Sequence, residues 1–111
     1  MPKTAYPKKI VDHYIKQVKN KIKVNKVVLF GSFAYGKPNI HSDIDLVVIS
    51  PSFKNQDFME RMIMLSHLRD EITYQISMDI VGYTEKEFNK MGHYSVNLAE
   101  IKKKGKVIYS S

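Results

Sequence analysis

With 111 residues, 43% of them hydrophobic and 26% charged, the chain has the size and composition of a single globular domain spanning residues 1–111. It has no cysteine, which excludes a disulfide framework, a thiolate zinc site and a cysteine nucleophile. The formal charge of +7 is lopsided: residues 1–40 hold nine lysines against one acid, Asp12, whereas residues 41–111 hold nine basic against ten acidic side chains. A solvated lysine face and attraction for a triphosphate, nucleic acid or acidic partner are both compatible with that excess.

The start, Met1-Pro2-Lys3-Thr4, lacks the apolar stretch of a signal peptide. The longest apolar runs, Val27 to Phe30 and Leu46 to Ile49, are far too short to span a bilayer. A cytoplasmic protein without a membrane partner is the expectation. Residues 1–7 read as a loose arm, with Pro2 and Pro7 discouraging regular structure. From Lys8 to Lys23, Val11, Ile15, Val18 and Ile22 recur at helical spacing and predict an amphipathic helix. Lys26 to Phe30 reads as a buried strand ended by Gly31, and Ser32 to Lys37 as a short helical turn. Gly36-Lys37-Pro38-Asn39 is loop chemistry.

Ile44 to Ile49 is a second strand, stopped by Ser50-Pro51-Ser52. Asp57 to Ile72 is a second long helix, with Phe58, Met62, Leu65, Leu68 and Ile72 as its apolar stripe and Met59, Met62 and Met64 in or near the core. Gln75 to Val81 is a third strand closed by Gly82. Thr84 and Glu87 have the spacing of a capping box for a short helix. Ser95 to Lys104 suggests a last helix stopped by Gly105, and Lys106 to Tyr109 an edge strand. The alternation gives an α/β domain: a small mixed β-sheet of three to four strands flanked by helices.

The residues with chemistry lie at the strand ends. A glycine after a buried strand, Gly31, permits a sharp turn and close approach of a ligand. Ser32 after it either caps the turn or grips a phosphate oxygen. Asp43 and Asp45 are two apart, so they project to the same side at the start of the second strand. Like charges this close repel unless a cation lies between them, and Mg²⁺ takes carboxylate oxygens while leaving room for phosphates. Asp79 interrupts an otherwise apolar third strand, where an unpaired carboxylate is costly if buried; it either pairs with a lysine or arginine or joins Asp43 and Asp45 around a metal. Three carboxylates on neighbouring strands can hold two Mg²⁺ about 4 Å apart, an arrangement that steadies attacking and leaving oxygens in phosphoryl chemistry. The four histidines, His13, His41, His67 and His93, have no metal-ligand spacing.

Gly31-Ser32, ten residues, then Asp43-x-Asp45 resembles the signature of the DNA polymerase beta-type nucleotidyltransferases. The stretch GSFAYGKPNIHSDIDLVV is close to the form seen in minimal nucleotidyltransferases (MNT), and SMDIVGY matches the place of the family's third carboxylate. The resemblance covers nearly the whole chain. It implies the nucleotidyltransferase fold, with Gly31 and Ser32 holding the triphosphate, Asp43 and Asp45 binding both metals, and Asp79 binding the metal that activates the acceptor hydroxyl. Lys37, in the intervening loop, is either a phosphate contact or a plain surface lysine. The resemblance further implies Mg²⁺ as cofactor, two ions, and ATP as substrate. The minimal forms resemble antitoxins of HEPN/MNT toxin–antitoxin pairs, which implies transfer of AMP to a hydroxyl of a HEPN-type toxin. Transfer to a small molecule or an RNA end is the runner-up, and a non-catalytic module that neutralises a partner by contact is a third reading.

Overall fold

In the computed structural model, residues 6–39, 42–91 and 103–111 are described. The first helix, α1 (Lys8–Lys21), leads into β1 (Lys26–Phe30), the single-turn helix α2 (Ser32–Tyr35) and β2 (Ile44–Ile49). A 3-10 turn at Pro51–Phe53 precedes α3 (Phe58–His67), and another at Thr73–Gln75 precedes β3 (Met78–Tyr83). The chain continues through α4 (Glu85–Met91) to β4 (Lys106–Ser110). The sheet order is β3-β2-β1-β4. Strand β1 is antiparallel to both β2 and β4, while β2 and β3 run parallel, joined through α3. The sheet is therefore mixed and four-stranded, as expected.

Strand alternation sorts the side chains into two layers. Val27 and Leu29 of β1, Ile44, Leu46 and Val48 of β2 and Ile80 of β3 join Val11, Tyr14, Ile15 and Val18 of α1 and Leu65 of α3 in the main core. Each such side chain contributes about 1.5–3 kcal/mol by leaving water. On the other face Val28, Val47, Ile49 and Tyr83 form a smaller cluster, flanked by Phe30, Val81 and Phe88. Among the described residues, α1 and α3 thus cover one face and the other carries the smaller cluster.

The fold departs from the sequence expectation at several ends. Helix α1 stops at Lys21 rather than Lys23, because Ile22 is already extended while its N–H still closes on the Val18 carbonyl. Tyr14, absent from the expected stripe, is fully buried and donates its hydroxyl to the Leu65 carbonyl at 2.6 Å, tying α1 to α3. Helix α3 is shorter than the expected Asp57–Ile72: Asp57 is its N-cap, accepting from the Glu60 N–H at 2.8 Å, and it ends at His67. Its inward face is Arg61 and Leu65, with Met64 and Leu68 packed alongside, so Phe58, Met59 and Ile72 are exposed.

Arg61 explains that shift of face. Its guanidinium is buried and donates to the carbonyls of Gln56, Gly82 and Phe53 and, as a fork, to both oxygens of Glu87. Glu87 also closes the expected capping box with Thr84. Chiefly through its hydrogen bond, Arg61 holds the Glu87 carboxyl below its usual range. Strand β3 begins at Met78, three residues later than expected, and runs through Gly82 to Tyr83. Gly82 does not end it: a Cβ there would stand 2.7 Å from the Phe53 ring, so glycine is what lets Phe53 seat against the strand. Asp70 clasps the other end of the βαβ unit, bonding His13 at 2.6 Å and Gln17 at 3.0 Å from α1. Most of the expected helix at Ser95–Lys104 lies outside the described residues, although Lys103 and Lys104 are helical. The edge strand after it is present as β4. No described helix is long and apolar enough to cross a membrane.

Candidate active site

Strand β2 sends Ile44, Leu46 and Val48 into the helix-covered core, which turns Asp45 to the opposite face. Parallel pairing then fixes what stands beside it. Asp45 is in register with Asp79, as Leu46 is with Ile80 and Val47 with Val81. Neighbouring strands are about 4.8 Å apart, so the two carboxylates start from adjacent places in one row. Asp43 comes immediately before β2, two residues from Asp45, and is exposed. The structure therefore brings the three predicted carboxylates to one end of the sheet.

The glycine turn abuts them. Phe30, the last residue of β1, pairs with Asp45, and Gly31 follows with φ 74. A Cβ on Gly31 would lie 2.2 Å from Oδ2 of Asp45, which is no contact distance at all. Glycine is needed here both for the left-handed backbone and for the space beside the acid. Its carbonyl accepts from the Ala34 and Tyr35 N–H groups at 3.0 and 3.1 Å, closing α2. Gly31 rather than Ser32 is the residue that caps this turn, and the Ser32 side chain makes no capping bond. Ser32, directly after Gly31, is half-buried, while Lys37 is exposed in the loop that follows. His41 lies outside the described residues.

Burial pushes the Asp45 carboxyl up to about 6, and the charges of Asp79 and then Asp43 push it in the same direction. This is the electrostatic signature of clustered carboxylates. Among the described residues, however, no three Asp, Glu or His side chains close into a set of metal ligands. The carboxylates lie within Coulombic reach of one another without converging to ligand distances. As a donor set they are hard oxygens, two exposed and one half-buried, and they suit a hard divalent cation better than any transition-metal site.

Asp79 differs in one respect from its expectation. It is exposed, because β3 is an edge strand and Met78 and Ile80 point to the other side. Its cost is therefore repulsion and not desolvation. The larger described cavities lie elsewhere. One of about 390 Å³, lined by Phe58, Arg61, Tyr83 and Glu87 among others, lies toward the far end of β3 from Asp79. A smaller one of about 130 Å³ reaches Asp79 only from beneath α3 and is too small for a nucleotide. Of the acids themselves, Asp43 and Asp79 are exposed and Asp45 is half-buried.

Two features are not foreshadowed by the sequence pattern. The Lys104 ammonium is 5.9 Å from the Tyr35 ring, so the segment before β4 reaches α2 beside the glycine turn. The Arg61–Glu87 fork holds the α3–β3–α4 corner together. The Thr84–Glu87 spacing flagged Glu87, but no local pattern pairs residues 26 positions apart.

A mixed sheet flanked by helices, with three carboxylates beside a positive-φ glycine, defines a small α/β domain with an acidic site at one sheet end. The family is that of the nucleotidyltransferase domain: its model matches residues 11–108, and the chain belongs to it. No curated protein sequence matches the chain significantly. Among solved structures it is similar to a Sulfolobus solfataricus protein described provisionally as a nucleotidyltransferase, with TM-score 0.68, 20% identity, and coverage of 92% of this chain and 78% of that one. It is also similar to a toxin–antitoxin protein solved with AMP-PNP, with TM-score 0.63, 21% identity, and coverage of 96% and 75%. BolA1 from Arabidopsis thaliana matches at TM-score 0.55 and 16% identity over 70% of this chain and 94% of that one. Likeness at these identities speaks to the fold alone. The family model carries the family assignment.

Proposed function

We propose that this protein transfers a nucleotidyl group, AMP from ATP, to a hydroxyl of a protein acceptor, and that its acceptor is a HEPN-type toxin for which it is the antitoxin. The observation that carries the catalytic part is the row formed by Asp45 and Asp79, in register on parallel strands, with Asp43 two residues before and Gly31 against Asp45. The toxin–antitoxin relation rests on the structural neighbour solved with AMP-PNP and on the resemblance to minimal nucleotidyltransferases.

Asp43, Asp45 and Asp79 would hold Mg²⁺, which when bound would neutralise triphosphate charge and lower the proton affinity of the acceptor hydroxyl. Gly31 leaves the space through which the triphosphate approaches, and Ser32 offers its hydroxyl and N–H to phosphate oxygen. The acceptor oxygen forms a bond to the α-phosphorus and the bond from that phosphorus to the bridging oxygen of the β-phosphate breaks. Pyrophosphate leaves, and the acceptor proton passes to a carboxylate of the cluster, with Asp79 placed at the open edge to take it. No protein nucleophile is needed, since positioning and electrostatics carry such chemistry.

Asp43 and Asp79 are exposed, so an acceptor protein can dock against the cluster. A docked partner would orient its hydroxyl and exclude water at once. The test is to incubate this chain with ATP, Mg²⁺ and the protein encoded beside it, then weigh the partner by mass spectrometry. A gain of one or more AMP units, lost with Asp79→Asn, supports the reading. A tight complex with no mass gain under any metal condition favours neutralisation by contact.

A further inference from the structure

The lysine excess of the sequence becomes a track in the fold. On α1, Lys16 and Lys19 are exposed and line a groove of about 350 Å³ between the helix and β4, whose other wall is Ile108 and Tyr109. The Lys19 ammonium stands 4.4 Å from the Tyr109 ring centroid. Strand β4 pairs antiparallel with β1, Tyr109 opposite Val27 and Lys106 opposite Leu29. Lys106 is thus at the end of β4 nearest Gly31, and Lys104 continues the track to the Tyr35 ring on α2. Two lysine groups far apart in sequence, Lys16 and Lys19 on α1 and Lys104 and Lys106 around the start of β4, thus lie along one flank, which ends beside the glycine turn. The acid in the groove, Asp12, is occupied by Lys8 in an ion pair.

We infer that this α1–β4 flank binds the phosphodiester backbone of a nucleic-acid strand. This goes beyond the proposed transfer reaction and does not require the strand to be its acceptor. The composition favours nucleic acid over an acidic protein. The track is made of lysine without arginine, and lysine is depleted at protein–protein interfaces, where arginine and methionine are enriched. A row of ammonium groups, two of them beside tyrosine rings, suits a diffuse line of phosphates, bound mainly through counterion release.

The test is fluorescence anisotropy with end-labelled twenty-nucleotide single-stranded RNA, single-stranded DNA and duplex DNA, at several salt concentrations. Lys16→Gln/Lys19→Gln/Lys106→Gln is compared with a control, Lys54→Gln/Lys86→Gln/Lys90→Gln, which removes the same charge outside the track. Circular dichroism melts confirm that both variants fold. The flank variant is expected to bind at least about tenfold more weakly and to lower the log–log salt slope by roughly 2, at about 0.7–0.9 for each phosphate that it leaves without a lysine. The control should keep wild-type binding to within about twofold. The three probes distinguish which kind of strand the flank takes. Absence of binding to all three at low salt, equal weakening in the control, or displacement of the probe by polyglutamate as readily as by unlabelled strand would each overturn the inference.

Discussion

Replacing Asp45 by asparagine should make the metal-free protein more stable while removing its function. In the folded chain the Asp45 carboxyl is pushed from 3.8 to about 6, first by burial and then by Asp79 and Asp43. A raised carboxylate pKa means that the native state holds the proton longer than the unfolded chain does. The unfolded chain therefore binds fewer protons between pH 4 and 6, and stability falls as pH rises through that window. At about 1.36 kcal/mol per pH unit the full difference is ~3 kcal/mol at neutral pH. Asp45 retains some solvent access, so screening reduces this to about 1–2 kcal/mol. Asparagine keeps the shape and removes the charge. Urea denaturation of both proteins, without metal, should show the variant more stable by that amount at pH 7 and no different near pH 3.5. Asp70, whose carboxyl the His13 hydrogen bond chiefly holds at about 2, and Glu87 act with the opposite sign at low pH, but they are common to both proteins and cancel. A variant no more stable than wild type at pH 7, or equally stabilised at both pH values, would refute the reasoning.

Other outcomes follow from packing around the site. Gly31→Ala should cost about 1–2 kcal/mol from its φ of 74 alone and, by driving Asp45 aside, should reduce binding of Mg²⁺ and ATP in calorimetric titration by at least about tenfold. Wild-type affinity in that variant would place the triphosphate elsewhere. Arg61→Ala strands three carbonyls and Glu87 and should lower the unfolding free energy by about 3–4 kcal/mol in urea melts, with Arg61→Lys recovering little because an ammonium cannot reproduce the fork. Tyr14→Phe leaves the Leu65 carbonyl without its buried donor and should cost about 1–2 kcal/mol by the same measurement.

What the sequence disclosed and what it withheld divide along a physical line. The strands Lys26–Phe30 and Ile44–Ile49 were legible to the residue because β-branched runs ended by Gly31 and by Ser50-Pro51 have few alternatives. That Asp43 and Asp45 share one side was legible because residues two apart along a strand point the same way, whereas their meeting with Asp79 depends on the β2–β3 register, which no local pattern reveals. Helix α3 misled because its pattern of apolar residues admitted a stripe through Phe58 and Ile72, while the position that turns inward is the charged Arg61. A buried guanidinium is tolerable only with its partners, and Phe53, Gly82 and Glu87 are brought to it by the fold rather than by spacing. Asp79 was read as a burial problem because sequence does not reveal that β3 is an edge strand.

If the Asp43–Asp45–Asp79 cluster catalyses the proposed nucleotidyl transfer, it acts on the α-phosphorus of ATP and not on the γ-phosphorus. ATP labelled at the α-phosphate and ATP labelled at the γ-phosphate, each incubated with Mg²⁺, this protein and its encoded neighbour, separate the two directly. The α-label is expected to become fixed to the acceptor while the γ-label leaves as pyrophosphate, and Asp43→Asn, Asp45→Asn and Asp79→Asn are each expected to abolish fixation. Fixation of the γ-label, or α-label fixed undiminished by all three variants, would contradict it.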